Sequence, residues 1–268
     1  MPATILIRGA GDLASGVAIR LFRAGLHVLM TELEQPLAVR RTVSFAQAIF
    51  QGQISIEGIT GCKVEDAAAV LKVSALLDAR QIPVVVDPQC NGAIILHPSV
   101  IVDARMSKRP PEPLEHASLM FIGLGPGFTA PLNCDAVVET ERGHTMGRVI
   151  IHGTAKPDSN RPDGDGRRVL RAPTTGIFES AAHIGQHLEA GEMIAKVGGR
   201  PVVAPFSGIL RGLLQPGLVA QVGMKIGDLD ARDDPALCQL VSDKSLAVGG
   251  GVLEAMLGRP DVRAKLWS

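Results

Sequence analysis

Aromatic side chains are scarce: seven Phe, one Trp and no Tyr make up 3% of 268 residues. An excess of either charge is also missing, since 27 Lys and Arg balance 27 Asp and Glu. Nucleic-acid binders follow phosphates with a basic surface and stack bases on aromatics, so these two absences argue against a nucleic-acid partner. No apolar run approaches the roughly 20 residues that cross a bilayer, which argues against a membrane role. The start, MPATILIRGAGD, passes from a short apolar run into a glycine loop, unlike a signal peptide. Cysteine is rare as well. Cys62, Cys90, Cys134 and Cys238 lie far apart and no two have CxxC spacing, so neither a zinc knuckle nor a redox pair is suggested. Without an export signal, the expectation is reduced thiols and a cytoplasmic location. A hydrophobic fraction of 46% excludes disorder. It permits a homo-oligomer without requiring one.

What the chain has in quantity is glycine and proline, 30 and 18 residues. Their placement divides it. Residues 1–160 alternate short apolar runs with amphipathic ones. A buried strand is expected at 4–7, then a helix over 12–24 with Leu13, Val17, Leu21 and Phe22 on one side. A second run follows at 27–30, then helices over 36–50 and 64–80. Further strand candidates stand at 83–87, 100–103, 119–122 and 136–139. Apolar strands separated by helices imply an α/β domain with a mostly parallel sheet, Rossmann-like in topology. Residues 154–168 carry no apolar period and read as a linker.

Residues 161–232 contain an internal repeat. RAPTTGIF matches VAPFSGIL with Ala172 and Ala204 standing 32 residues apart. The same offset pairs Gly176 with Gly208, Gly185 with Gly217, Gly191 with Gly223 and Ile194 with Ile226. Two such copies bury each other's apolar faces. The segment resembles the biotinyl/lipoyl type of barrel-sandwich hybrid. In those carriers the modified lysine sits on a hairpin between the copies. Here that hairpin reads Val197-Gly198-Gly199-Arg200-Pro201, with no lysine at its tip. The shape is therefore expected without the carrier function. Residues 233–268 form a C-terminal helical segment. Its three consecutive glycines, Gly249 to Gly251, read either as close packing against another backbone or as a loop before a helix starting at Val252.

The candidate ligand site is Gly9-Ala10-Gly11-Asp12-Leu13-Ala14, which fits G-x-G-x-x-A after a strand and before a helix. Gly9 and Gly11 allow a tight turn and close approach of a phosphate, and the helix start offers N–H groups. Ser15 adds a hydroxyl. Glu32 stands 21 residues beyond Gly11, where an acid that binds ribose hydroxyls is expected. Asp12 would repel a phosphate unless it points away or holds a metal ion. Arg40 or Arg41 would grip an outer phosphate, although adjacent helical residues diverge by about 100°. Gly125, in Gly-Leu-Gly-Pro-Gly, marks a second anion loop or a plain turn. Asp87, Asp103 and Glu139 end strands, where they contact a ligand or cap the next turn. Asp103, Glu141 and His144 are the candidates for a catalytic acid or base. Cys134, Glu139, Glu141, His144 and His152 match no standard metal set, so no metal site is expected.

Several stretches together carry a wider resemblance: IRGAGDLASGVAIRL, VLMTELEQPLAVRRTVSFAQA, PVVVDPQC, VDARMSKR, GLGPGFTAP, VVETERGHTMGRVI and GGGVLEAML. On them the chain resembles the YqeB-type family of selenium-dependent molybdenum hydroxylase system proteins over nearly its whole length. The resemblance implies an accessory protein that acts with a molybdenum hydroxylase client and its maturation proteins. Its N-terminal fold would be similar to that of XdhC-type accessory proteins, which handle molybdenum cofactor. The expected ligand is then a nucleotide or a molybdopterin-type dinucleotide. Two other readings stand beside it. One is an NAD-dependent oxidoreductase, with Glu32 favouring NAD over NADP. The other is a non-catalytic scaffold.

Overall fold

The computed structural model describes residues 3–66, 69–115, 117–158 and 165–267. The chain divides into two compact units. The first comprises Met1–Pro36, Phe45–Ser159 and Val241–Ser268, the second Leu37–Ser44 and Asn160–Leu240. These cuts differ from boundaries at 1–160, 161–232 and 233–268: the C-terminal helices join the first unit and an early segment joins the second. Of the expected linker, residues 159–164 lie outside the described residues.

In the first unit the apolar runs become the middle of a sheet. In chain order it contains β1 (Thr4–Arg8), α1 (Asp12–Arg23), β2 (His27–Glu32), α2 (Ala48–Gln51), β3 (Gln53–Ile56), β4 (Ile59–Val64), α3 (Val70–Asp78) and β5 (Ile82–Val86). There follow β6 (Val100–Asp103), β7 (Met120–Leu124), β8 (Thr129–Ala130), β9 (Ala136–Val138), β10 (Val149–Ile150), β11 (Gly153–Thr154), α4 (Asp243–Gly258) and α5 (Pro260–Arg263). Nine strands form one sheet in the order β10-β9-β7-β6-β1-β2-β5-β4-β3, while β8 and β11 pair separately. On one face Leu6, Leu29, Val85, Ile101, Phe121, Phe128 and Val137 form a core. Phe121 and Phe128 meet edge to face at 6.0 Å.

The expected fold, a Rossmann-like domain with a mostly parallel sheet plus a barrel-sandwich hybrid, is corrected here. The nine-stranded sheet is mixed. β3 runs antiparallel to β4, and β10 antiparallel to β9. The β3–β4 hairpin turns on Glu57 and Gly58, both at positive φ (48° and 81°), the geometry of a tight two-residue turn. Of the helix expected over 36–50 only the last residues are α-helical, in α2. Short 3-10 turns at Arg41–Val43 and Phe45–Gln47 precede α2. The reason lies in residues 37–44, which belong to the second unit, where Val39 O accepts from Leu213 N–H at 2.7 Å. The helix expected over 64–80 is shortened to α3, because β4 claims Val64.

The second unit holds β12 (Val169–Arg171), β13 (Gly176–Glu179), β14 (His187–Leu188), β15 (Met193–Val197), β16 (Arg200–Val203), β17 (Gly208–Leu213), β18 (Val219–Ala220) and β19 (Lys225–Asp230). They form two four-stranded sheets, ordered β12-β19-β17-β14 and β16-β15-β13-β18, whose strands pair antiparallel. The sequence repeat is a repeat of hydrogen bonds with the copies exchanged. Gly191 N–H donates to Ala204 O at 2.8 Å and Gly223 N–H to Ala172 O at 2.9 Å. Gly185 N–H donates to Leu210 O and Gly217 N–H to Phe178 O, both at 2.8 Å. Gly185 and Gly217 share a φ near 90°, which explains glycine at that repeat position.

The three glycines of the tail lie inside α4 and answer the question left by the sequence. A Cβ at Gly249 would press on Val17 Cα of α1 at 3.1 Å, and one at Gly251 would overlap Gly147 O. Gly16 of α1 matches them, since its Cβ would overlap Ser245. Close backbone packing therefore accounts for two of the three. Gly250 meets nothing within 4 Å.

Candidate functional site

β1, β2, β5, β6, β7 and β9 run parallel, so their carboxyl ends share one edge of the sheet. This edge brings together Gly9 to Asp12, Glu32, Asp87, Asp103, Gly125 and Glu139. Gly9 leaves β1 at φ +92°, and its N–H donates to Thr31 O at 2.8 Å. Gly11 is the N-cap of α1, with φ −66° and no side chain capping the first turn. A Cβ at Gly11 meets nothing within 4 Å. The loop therefore presents uncapped helix-start amides beside open backbone, the arrangement that favours an anion.

Glu32 is fixed across this loop. Its Oε2 accepts from Ala10 N–H at 2.8 Å and its Oε1 from Leu33 N–H at 2.7 Å. Burial pushes its carboxyl up from the ordinary value, against the pull of these two amides. Asp12 faces α4, where its Oδ1 accepts from Ser245 Oγ at 3.4 Å. Ser15 is fully buried: its Oγ donates to Ala10 O at 3.2 Å and accepts from Phe45 N–H at 2.8 Å. It braces the loop from behind and does not line it.

The other acids of the edge are strongly engaged. Asp87 accepts from the N–H groups of Asn91, Gly92 and Ala93 at 3.1, 3.0 and 2.8 Å. Glu139, buried, accepts from Glu141 and Lys156 N–H. Asp103 has no solvent exposure and binds both Arg8 and Arg105. Its oxygens are taken up by these two guanidiniums and by the Arg105 backbone N–H, which leaves it engaged within the protein. Glu141 is partly exposed and His144 exposed. His144 contributes its carbonyl to Arg148 Nε at 3.3 Å. Neighbouring Arg142 makes a bidentate pair with Asp243 at 2.7 Å. Among the described residues no group of three or more His, Cys, Asp or Glu is placed to hold a metal ion.

The second glycine loop is explained by packing. A Cβ at Gly123 would overlap Phe128, and one at Gly127 would lie 2.6 Å from Ser107 O. Gly125, at φ +93°, lies against Met106 and Thr140. Arg40 and Arg41 belong to the second unit. There, Arg40 Nη2 donates to Leu237 O and Leu240 O at 3.0 Å, and Arg41 Nε to Leu213 O at 2.6 Å. The four cysteines are free, and burial pushes the Cys90 and Cys134 thiols up to about 11.

Arg105, one of three cations that follow a strand in VDARMSKR, stands beside the glycine loop. It follows β6, and its Cγ lies 3.5 Å from the Cβ position of Gly9. The signal was present in VDARMSKR as cations after a strand, but only the parallel register of β6 with β1 sets Asp103 beside Arg8.

No family model matches the chain. Among solved structures, an aspartoacylase family protein from Mesorhizobium loti shares 12% identity, with 85% of each chain covered and a TM-score of 0.28. A succinylglutamate desuccinylase from a Silicibacter species shares 12% identity, covering 85% of this chain and 84% of that one at 0.24. At these TM-scores the likeness bears on neither fold nor chemistry. No helix among the described residues is long and apolar enough to cross a membrane. In sequence the chain is 44% identical over 257 residues to the uncharacterized protein YqeB of Escherichia coli, covering 94% of this chain and 47% of that protein. Over nearly its whole length, then, this chain is a relative of YqeB and spans about half of it.

Proposed function

We propose that the carboxyl edge of the nine-stranded sheet binds a phosphate-bearing ligand, a nucleotide or molybdopterin-type dinucleotide, and that the protein is an accessory factor of a molybdenum hydroxylase. The observation that carries the ligand reading is the Gly9–Gly11 turn. It opens α1 with no side-chain cap and with clear space at Gly11. The residues present fit such a group. The helix-start amides face an anion, and Glu32, held by two amides, keeps lone pairs for ligand hydroxyls. Ser15, Arg40 and Arg41 take no part, because each is engaged within the protein. The accessory role rests on the family resemblance of the sequence. With bound ligand, the chain's contribution would be to hold and orient it.

Native mass spectrometry of the chain produced with and without the molybdenum cofactor pathway tests this. A bound mass that depends on the pathway supports the reading. Identical spectra from both preparations count against the cofactor, and a tightly bound nucleotide in both points to the simpler ligand.

A further inference from the structure

We propose that Arg105 is the side chain that binds the ligand's phosphate at this edge, and that buried Asp103 is the positioning residue that holds it there. This rests on the glycine-loop reading and adds a named cation and a ligand class, a compound carrying a phosphate or pyrophosphate. The geometry is specific. Asp103 accepts from Arg105 Nε at 3.0 Å, Nη2 at 2.7 Å and the Arg105 backbone N–H at 3.2 Å. It also accepts from Arg8 Nη1 at 3.2 Å. The guanidinium is thus clamped along its Nε–Nη2 side. Its Nη1 makes no hydrogen bond among the described residues, and 34% of the side chain is exposed.

A buried carboxylate is neutralised by one guanidinium, and Arg8, with a side-chain exposure of 5%, already supplies it. Arg105 adds a second one at the rim. Arg8 Nε is itself buried without a hydrogen-bond partner, so the carboxylate leaves cationic donors unused at the end of β1. The chain following Arg105 is tied to the other glycine loop. Met106 takes φ +59° and its Cε lies 3.6 Å from the Cβ position of Gly125, and Gly127 N–H donates to Ser107 O at 2.9 Å. Arg105 is therefore held between the loops that follow β1 and β7. A clamped guanidinium with a free edge beside backbone amides matches the planar, multi-oxygen geometry of phosphate.

Calorimetric titration of the full chain with ADP, inorganic pyrophosphate and adenosine tests the assignment. The wild type should bind ADP more tightly than adenosine. Arg105→Gln should weaken ADP and pyrophosphate about ten- to a hundredfold while leaving adenosine unchanged. Arg105→Lys should recover part of the loss. Asp103→Asn should lower the ADP-to-adenosine ratio, whereas a merely structural role would weaken both ligands alike. If Asp103→Asn does not fold, the rim variant Arg105→Gln decides alone. Unchanged ADP and pyrophosphate affinity in Arg105→Gln would overturn this assignment and leave the glycine-loop reading standing. A wild-type protein that binds none of the three would overturn both.

Discussion

The Glu32 carboxylate accepts a hydrogen bond from Ala10 N–H at 2.8 Å, tying the end of β2 to the middle of the glycine turn after β1. The acid is thus part of the loop's framework as well as a ligand candidate. Burial raises its folded pKa above the ordinary 4.5. A raised folded pKa means that the folded state holds the proton more tightly. The stability Glu32 contributes is then full below pH 4.5 and declines as pH rises through the folded value. The advantage of wild type over Glu32→Gln in melting temperature should therefore be largest near pH 4 and shrink toward neutrality. A difference that grows with pH would contradict the assignment.

Asp230 behaves in the opposite sense. The Arg232 hydrogen bond, with help from Arg211, pushes its carboxyl down to about 2 from 3.8. A depressed folded pKa contributes stability above pH 3.8 that is lost as pH falls toward 2. Acid denaturation of Asp230→Asn should lose the part of its pH dependence between about 4 and 2 that wild type shows.

The glycines of α4 should separate cleanly. Gly251→Ala would drive a methyl into Gly147 O and should cost about 1–3 kcal/mol. Gly250→Ala meets open space and should gain roughly 0.5–1 kcal/mol from helix propensity. Urea denaturation of the two variants reads both signs.

The exchanged copies of the second unit predict matched losses. Gly185 and Gly217 occupy equivalent turns at φ 93° and 91°, with open space around each Cβ position. Alanine at either should cost a similar amount, about 1–2 kcal/mol from backbone strain alone. Thermal melts of both variants check it.

Much of this was legible in the sequence where period and punctuation coincide. The apolar runs at 4–7, 27–30, 100–103 and 119–122 became strands β1, β2, β6 and β7, and the 32-residue offset became a real exchange of hydrogen bonds. The mixed edges were not legible, because two-residue strands such as β10 and a turn made of Glu57 and Gly58 leave little pattern. In the site, the spacing of Gly9, Gly11 and Glu32 was readable because one local turn sets it. The fates of Ser15, Arg40 and Arg41 were not. Each is decided by a partner distant in the chain: Phe45 N–H, Leu237 O and Leu213 O. Arg105 was legible only as one of three cations after a strand, since its pairing depends on the register of β6 against β1.

The central claim is that the open turn at Gly11 receives a phosphate. Gly11 has an ordinary φ of −66° and free space around its Cβ position, so Gly11→Asp should fold as wild type while placing a carboxylate at the helix start. Calorimetric titration with ADP of wild type and Gly11→Asp, with melting curves to show both are folded, measures it directly. Saturable binding by wild type and its loss in the folded variant is the result expected; equal binding by both proteins, or none by wild type, would contradict it.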